Sequence, residues 1–422
     1  MGLALVLIYI ALNLLSPADM LPFLAPFRPM LILALLSLPI AVLARLQAPE
    51  VGKLRTQFAV VLLFFGYASV ALIPHREYGA NLQTVTDLAP NVLAYFLGIV
   101  YFRSPARLRL VRGMLVLAAL FILVNALLEL PFAHASGISA PYVMVTGHSF
   151  AEMEFRIRGL GMLQDPNTYG QFVLLVLPLL FIPKSDAGLG VGWLAAAPIT
   201  VLFLLGVFLT GSRGAALGVA VVCGLFLIRR LKAAGALITT VLGGLVLLGI
   251  NAYKTRTVSM SGGLDRLAIW SDGLAYFKSS PLWGIGPRNF AANFGSTAHN
   301  SYLLVAAELG IVGYFLWMSM LLVTLIQLGR IPNIIGKSNP SLARWAVGLR
   351  ISLAGYMFTS FFLSRAYELP LYMLLGMCGG VIVAAGGDEV VSLRGSFWPA
   401  WSLIACVGIL CLIYVMLRLR FA

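Results

Sequence analysis

The sequence predicts an all-α membrane protein, a polytopic transmembrane helical bundle of about 12–13 helices. Of its 422 residues, 60% are hydrophobic and only 10% are charged, and the mean hydropathy is +0.96. The apolar residues form long uninterrupted stretches, whereas a transmembrane β-barrel would show short segments of alternating hydrophobicity. Because a bilayer offers backbone groups no hydrogen-bond partner, such stretches cross it as helices. We therefore expect one integral membrane domain over residues 1–422.

About thirteen apolar segments follow one another along the chain. They lie at 2–15, 29–45, 57–74, 87–102, 113–132, 168–183, 191–210, 215–228, 234–252, 301–328, 345–363, 370–386 and 397–417. We interpret the first as a membrane helix, because it lacks the basic start of a cleaved signal. Arginine and lysine cluster after the second, fourth, eighth and tenth segments, which predicts that those loops are cytoplasmic. Two long loops, at 133–167 and 253–298, then lie on the external face.

The external loop at 253–298 has an excess of basic residues, which is usual for cytoplasmic loops and not for external ones. Against two acidic residues it has five basic ones, namely Lys254, Arg256, Arg266, Lys278 and Arg288. Apolar residues recur at three- and four-residue spacing from Leu264 to Phe277, which predicts an amphipathic helix. Arg266 and Trp270 share one face of this helix, since they are four residues apart. The positive charge of this loop favours an anionic ligand.

A second group of arginines lies in the first external loop. The stretch FRIRGLGMLQDPN places Arg156 and Arg158 before a glycine-rich turn, and Asp165 and Asn167 at the start of the next apolar segment. Aspartate or asparagine at a helix start caps free amide groups, so these two have a structural explanation as well. An arginine beside a membrane helix is unfavourable unless it is solvated or paired. Both arginines are therefore candidates for anion binding.

Two further arginines stand in tight turns on the same predicted face. Arg213 lies in the GSRG turn between two apolar segments, and snorkelling to the interface would also explain its position. Gly284, Gly286 and Pro287 form a turn that presents Arg288. This turn is not a dinucleotide-binding fingerprint, because no predicted strand precedes it.

His299 and Asn300 end the basic loop, immediately before an apolar segment. A lone histidine at a helix start is often an interfacial side chain, but imidazole is also the natural proton acceptor near neutral pH. Glu308 follows nine residues later. On a regular helix it is about half a turn out of phase with His299. We therefore expect Glu308 to have a packing role or a partner on another segment.

Several arginines and one histidine, with no metal-ligand cluster, point to chemistry at a phosphate ester. Guanidinium groups bind phosphate oxygens through paired, charge-assisted hydrogen bonds. A diphosphate leaving group held by arginines needs no divalent ion, and a histidine can deprotonate the incoming hydroxyl. No metal ion or other cofactor is therefore expected. Nucleic acid is not an expected partner, because the basic residues are not interleaved with aromatic ones.

The order of these motifs resembles the O-antigen ligase and O-antigen polymerase superfamily of bacterial envelope membrane proteins. The motifs are DPN at one helix start, GSRGA after the next helix, an arginine and tryptophan before PLWGIGPRNF, and HNSYLLVAAELGIVG. Together they cover roughly residues 155–330. The resemblance implies a C-type glycosyltransferase-like fold in the inner membrane, with the active site facing the periplasm. The loops at 133–167 and 253–298 would then be periplasmic.

The resemblance also implies substrates and residue roles. The donor would be a glycan on undecaprenyl diphosphate, and the acceptor would be lipid A–core or a growing glycan. His299 would be the general base. Donor-diphosphate binding would fall to arginines, namely Arg213, Arg266, Arg158, Arg288 and Arg156, with Arg156 and Arg158 competing for one motif position. Supporting residues would be Asp165, Asn167, Asn300 and Trp270.

An O-antigen ligase that inverts the anomeric carbon is our prediction, and a polymerase using the same donor is the alternative. A transporter of lipid-linked glycan is a further alternative, but transporters place polar residues near mid-membrane and show repeated halves. A peptidoglycan glycosyltransferase of the shape-and-division type would use a carboxylate of the basic loop, either Asp265 or Asp272. We expect a monomer surrounded by membrane lipids.

Overall fold

The computed structural model describes residues 2–27, 29–75, 78–147, 153–183, 190–232, 234 and 261–421. The predicted apolar segment at 234–252 therefore lies almost wholly outside the described residues. The same holds for positions 148–152 of the first long loop and for Lys254 and Arg256 of the basic loop. The described chain is helical apart from one two-stranded hairpin and its connections. The predicted all-α class is thus confirmed.

The described residues form fifteen α-helices, which we number in chain order. They are α1 Gly2–Leu15, α2 Pro17–Met20, α3 Pro29–Leu46, α4 Thr56–Val70, α5 Tyr78–Tyr101, α6 Pro105–Ser136, α7 Pro166–Leu180, α8 Gly190–Leu209, α9 Arg213–Leu231, α10 Ser261–Ser279, α11 Asn289–Phe294, α12 Ser301–Ile335, α13 Pro340–Thr359, α14 Leu369–Ala384 and α15 Trp398–Phe421. Short 3₁₀ helices lie at Pro22–Phe27, Pro49–Lys53, Ile73–His75, Gly161–Leu163 and Gly387–Glu389. Strands β1 Val143–Thr146 and β2 Glu154–Ile157 pair antiparallel, with Val143 opposite Ile157.

Five helical segments of the described chain are long and apolar enough to cross a membrane, by length and composition. They are Thr56–His75, Leu82–Tyr101, Pro105–Ser136, Ser301–Ile335 and Trp398–Leu419. Shorter apolar helices lie at Gly2–Leu15, Leu31–Leu46, Ala196–Leu209 and Leu369–Ala384. Large apolar side chains are exposed on these helices, for example Leu128 and Leu419, as expected for surfaces in contact with lipid. The chain is a multi-pass membrane protein.

The chain divides into two compact units. Unit 1 consists of Met1–Ala48, Val100–Val258 and Ile335–Thr359, and unit 2 consists of Pro49–Ile99, Ser259–Ile334 and Ser360–Ala422. Each unit draws on distant parts of the sequence, so neither is a contiguous piece of chain. The assignment of residues 1–422 to one integral membrane domain stays a prediction.

Unit 1 packs α7, α9 and α13 against one another. A methyl group added to Gly170 would lie 2.7 Å from the Ala215 side chain, so α7 and α9 are in direct contact. The Gln171 amide donates a hydrogen bond to the Thr359 hydroxyl at 2.9 Å. Lipid gives little hydrophobic drive for helices to associate, so small residues and polar links of this kind hold them together.

Unit 2 contains the longest helix, α12, which is broken at Gly310 (φ 62°, ψ −168°). In the same unit α5 and α14 cross at two glycines, since a methyl group on Gly98 would lie 2.7 Å from the Gly376 backbone. Near the far end of α12, the Gln57 amide donates to the Thr324 hydroxyl at 2.8 Å. Beyond its break, α12 is thereby bonded to α4, the helix that contains Gln57.

Candidate functional site

In unit 1, Arg156 joins two of the polar clusters found in the sequence. Its Nε donates to the Thr210 carbonyl at 2.7 Å, and its Nη2 donates to Asn167 Oδ1 at 3.2 Å. Gly211 has a left-handed backbone (φ 61°), and a methyl group there would lie 3.3 Å from Arg156 Nε. The guanidinium is therefore fixed against the GSRG turn. Burial lowers the pKa of Arg156, while Asp165 and Glu154 oppose that shift.

The two turns that meet at Arg156 are both built by helix caps. Asp165 caps α7, because its carboxylate accepts from the Asn167 amide at 2.7 Å. Ser212 caps α9, because its hydroxyl accepts from the Ala215 amide at 3.2 Å. Arg213 is the first residue of α9 and is exposed, and the described part of the chain shows no hydrogen bond or ion pair for its side chain. The geometry thus presents Arg213 to the surroundings.

Arg158 has different surroundings from Arg156, although only one residue separates them. Its Nε donates to the Pro141 carbonyl at 3.1 Å, and its Nη2 donates to the Ala140 carbonyl at 3.2 Å. Its backbone amide also donates to the Tyr142 carbonyl at 2.9 Å. Arg158 is therefore bonded to the segment that leads into β1, whereas Arg156 is the arginine beside the GSRG turn.

In unit 2, the helix of the basic loop is α10, and it packs on other helices through its apolar face. Trp270 and Leu274 are buried in a cluster with Leu303 of α12 and with Ile413 and Leu417 of α15. The indole of Trp270 donates to the Ala298 carbonyl at 2.9 Å. This bond fixes α10 to the residue directly before His299. Arg266 is half-buried one helical turn before Trp270.

His299 has a left-handed backbone conformation (φ 49°) and is partly exposed. Asn300 is fully buried, and its Oδ1 accepts from the amides of Tyr302 and Leu303 at 3.0 and 3.1 Å. Helix α12 therefore begins after Asn300, and His299 stands outside it. Asn300 Nδ2 is buried and has no hydrogen-bond partner among the described residues.

Residues 360–368 form a third segment beside His299, and none of them was predicted as a site residue. The Ser301 hydroxyl donates to the Leu363 carbonyl at 2.5 Å and accepts from the Arg365 amide at 2.9 Å. The Arg365 guanidinium donates to Glu368 at 3.1 Å. A charged pair in the short SRAYE loop, on the predicted external side, was the available signal for this segment.

The PLWGIG turn, residues 281–286, is inserted into the break of α12. The amides of Ile285 and Gly286 donate to the carbonyls of Ala307 and Glu308, both at 2.9 Å. The Ile311 amide donates to the Pro281 carbonyl at 2.8 Å. These bonds satisfy backbone groups that the interrupted helix leaves open, which a membrane segment requires.

Glu308 is buried, with 2% of its surface exposed, and its partners come from the loop. Its Oε1 accepts from the Phe290 amide at 3.3 Å, and the amide of Arg288 also bonds to the carboxylate. Tyr367 lies close enough that Glu308 raises the pKa of the buried phenol further above its usual range. Glu308 therefore fixes the PRNF segment, residues 287–290. It does not form a catalytic pair with His299 on a single helix.

Arg288 is turned toward a carboxylate of the same unit. Its backbone is left-handed (φ 68°), and its Nη1 lies 2.5 Å from Asp87 Oδ2. The turn at Gly284 and Gly286 presents Arg288 as predicted, with φ of 71° and 92° at the two glycines. A phosphate at Arg288 would have to take the place of Asp87.

The structure thus brings the predicted residues together in two groups. Unit 1 assembles Arg156, Asp165, Asn167 and the turn bearing Arg213, with Arg158 on the adjoining hairpin. Unit 2 assembles Trp270, His299, Asn300 and the 360–368 segment. In the second group His299 is partly exposed, and its neighbours Ala298 and Ser301 are bonded to α10 and to the segment that carries Arg365 and Glu368. Such a group can accept a proton from a hydroxyl near phosphate-binding cations.

Residues 198–318 match the family model described as O-Antigen ligase. The matched region begins in α8 and ends in α12, so it includes Arg213, Arg266, Trp270 and His299. A comparison with curated proteins found no match. The resemblance predicted from the sequence is thus confirmed for residues 198–318, which are similar to the O-antigen ligase family.

Proposed function

We propose that the protein transfers a glycan from undecaprenyl diphosphate to a sugar of lipid A–core, as an O-antigen ligase of the inner membrane with its active site facing the periplasm. The observation that carries the proposal is His299, outside α12 and bracketed by α10 and the 360–368 segment. The match of residues 198–318 to the O-antigen ligase family model supports the reaction class. A polymerase is the alternative, because both activities use the same donor and occur in this superfamily.

In the proposed step, an imidazole nitrogen of His299 takes the proton of the acceptor hydroxyl. The oxygen then forms a bond to the anomeric carbon of the donor glycan. The bond from that carbon to the diphosphate oxygen breaks, and the diphosphate leaves with the electron pair. A single displacement of this kind inverts the anomeric carbon. Positive groups that hold the leaving diphosphate stabilise the developing charge, which is usually a large part of catalysis.

We assign the donor contacts first to Arg213 and Arg266, which lie in the region that matches the family model. Arg213 is exposed at a helix start, and Arg156 has a fixed guanidinium beside it. Arg266 lies one turn from the Trp270 indole that is bonded to Ala298. Supporting roles in this proposal fall to Arg156, Arg158 and Arg288, since protein groups already occupy their guanidinium groups.

Reconstitution of the purified full chain tests the function directly. With undecaprenyl-diphosphate-linked glycan and lipid A–core in proteoliposomes, we expect glycan-bearing lipid A–core and free undecaprenyl diphosphate. Transfer to a second glycan but not to lipid A–core would show a polymerase. Movement of the donor across the bilayer without any transfer would show a transporter and would refute the proposal.

Two arginine variants distinguish a residue that stabilises the fold from a residue that binds the donor. Arg158→Gln should lower the thermal unfolding temperature by a few degrees, because two carbonyls lose a charged donor worth about 1.5–3 kcal/mol per bond. Arg213→Gln should leave that temperature unchanged but weaken donor binding, measured as retention of lipid-linked glycan by the purified protein. The opposite pattern, with Arg158→Gln weakening binding alone, would exchange the two assignments.

A further inference from the structure

A cavity of about 750 Å³ lies in unit 2, away from His299. It is lined by Arg55, Thr56, Asp388, Glu389, Ser392, Leu393, Arg394 and Trp398. Gln327 of α12 donates to Asp388 at 2.7 Å, whereas His299 stands before the first residue of the same helix. From Ile311, just after the break at Gly310, to Gln327 the helix rises about 24 Å at 1.5 Å per residue. The lining of the cavity therefore shares no residue with the group around His299.

The two carboxylates of the cavity are already engaged. Asp388 accepts hydrogen bonds from the Thr56 amide at 2.7 Å, the Thr56 hydroxyl at 2.5 Å and the Gln327 amide at 2.7 Å. Glu389 pairs with Lys53 at 2.8 Å, and Lys53 holds the pKa of that carboxyl below its usual value. Neutral donors thus stabilise the Asp388 carboxylate, and Lys53 matches the charge of Glu389.

The two arginines of the cavity are held less firmly. Arg55 is 73% exposed and lies 3.8 Å from Glu389, at the limit of an ion pair. Arg394 is exposed, and within the described chain its guanidinium forms no ion pair. Its backbone is nonetheless fixed, because its amide donates to the Ser392 hydroxyl at 3.1 Å and Arg330 binds the Ser392 carbonyl. With Lys53, three cations stand against Asp388 and Glu389, so one net positive charge remains at a cavity whose two guanidinium groups are loosely held.

The cavity adjoins a helix that faces lipid. Trp398 lines the cavity and begins α15, whose apolar segment is only 22% buried. Phe397 and Trp401, on either side of it, are 74% and 58% exposed. Tryptophan at a helix end marks the depth of lipid headgroups. Basic pockets at this depth between membrane helices are suited to anionic headgroups.

We propose that this cavity binds the phosphate of an anionic phospholipid headgroup, with Arg55 and Arg394 as its ligands and Trp398 against the glycerol region. Guanidinium groups match phosphate oxygens in paired hydrogen bonds. The lipid rather than a free phosphate compound is favoured because the cavity is continuous with the lipid-facing start of α15. The site is independent of glycan transfer and would operate whether or not His299 is a base.

Native mass spectrometry of the full chain in detergent tests the site, with phosphatidylglycerol as the probe and phosphatidylethanolamine as the zwitterionic control. Removing one arginine should weaken binding about fivefold, and R55Q/R394Q about 25-fold. Lys337→Gln, an exposed cation outside the cavity lining, is the matched control and should bind as the parent chain does. Glu389→Gln should bind phosphatidylglycerol more tightly, a gain that misfolding cannot produce.

Three results would overturn the proposal. The first is equal binding of phosphatidylglycerol by the parent chain and R55Q/R394Q, together with no gain in Glu389→Gln. The second is equal binding of phosphatidylethanolamine. The third is binding of glycerol 3-phosphate as tight as that of the lipid, which would make the cavity a site for a soluble phosphate compound.

Discussion

Replacing His299 by asparagine is expected to reduce glycan transfer by about 10²–10⁴-fold, the usual contribution of a general base. Asparagine is the informative substitution because His299 has φ 49°, a left-handed conformation that asparagine tolerates better than most residues. The amide keeps a hydrogen-bonding side chain but has no basic nitrogen. The cap of α12 resides in Asn300 and should persist. The assay is transfer of glycan from undecaprenyl diphosphate to lipid A–core in proteoliposomes.

The matched control is His134→Gln. His134 stacks on Phe155 at 3.8 Å between ring centroids, in the unit that does not contain His299. This variant should transfer glycan at the parent rate. If His299→Asn also did so, a general base at this position would be ruled out. A loss in His299→Ala with full activity in His299→Asn would instead assign a hydrogen-bonding role to the imidazole.

The positions of the membrane helices were predictable because they depend on local composition. The apolar segment at 370–386, for example, corresponds to Leu369–Ala384, and that at 29–45 corresponds to Pro29–Leu46. Each is bounded by signals within a few residues, such as proline near the helix start. The β1–β2 hairpin had no such signal, and its strands depend on pairing between residues of one loop. Arg156 and Arg158 could not be told apart for this reason.

The site was predictable in its residue types but not in its contacts. The caps at Asp165 and Asn300 follow from residues two or three positions away. The partner of Glu308 was not predictable, because it is the amide of Phe290, 18 residues earlier in the chain. His299 and Glu308 would be half a turn out of phase on one regular helix, whereas α12 starts at Ser301 and breaks at Gly310. Long-range insertion of the PLWGIG turn produces that break.

Gly284→Ala and Gly310→Ala are expected to lose most of the folded protein, because both glycines stand where the PLWGIG turn enters α12. A methyl group on Gly284 would lie 2.2 Å from the Glu308 carbonyl carbon, and one on Gly310 would lie 2.3 Å from the Leu282 carbonyl oxygen. Both obstacles are backbone, so neither can rotate away. Gly310 also has φ 62° and ψ −168°, a region that is essentially restricted to glycine. Backbone strain and overpacking each lower the free energy of unfolding by about 1–3 kcal/mol.

The measurement is the yield of monodisperse protein and its unfolding temperature in detergent, with two matched glycine variants. Gly66→Ala places a methyl group in open space on α4 and should unfold at or above the parent temperature. Gly295→Ala also has open space but a positive φ of 70°, so it should show the loss due to backbone strain alone. The excess loss in Gly284→Ala over Gly295→Ala then measures the contact between turn and helix. Equal falls in unfolding temperature for these two variants would show that contact between the turn and α12 adds nothing to stability. The conclusion that the PRNF segment, residues 287–290, is fixed against α12 would then be wrong.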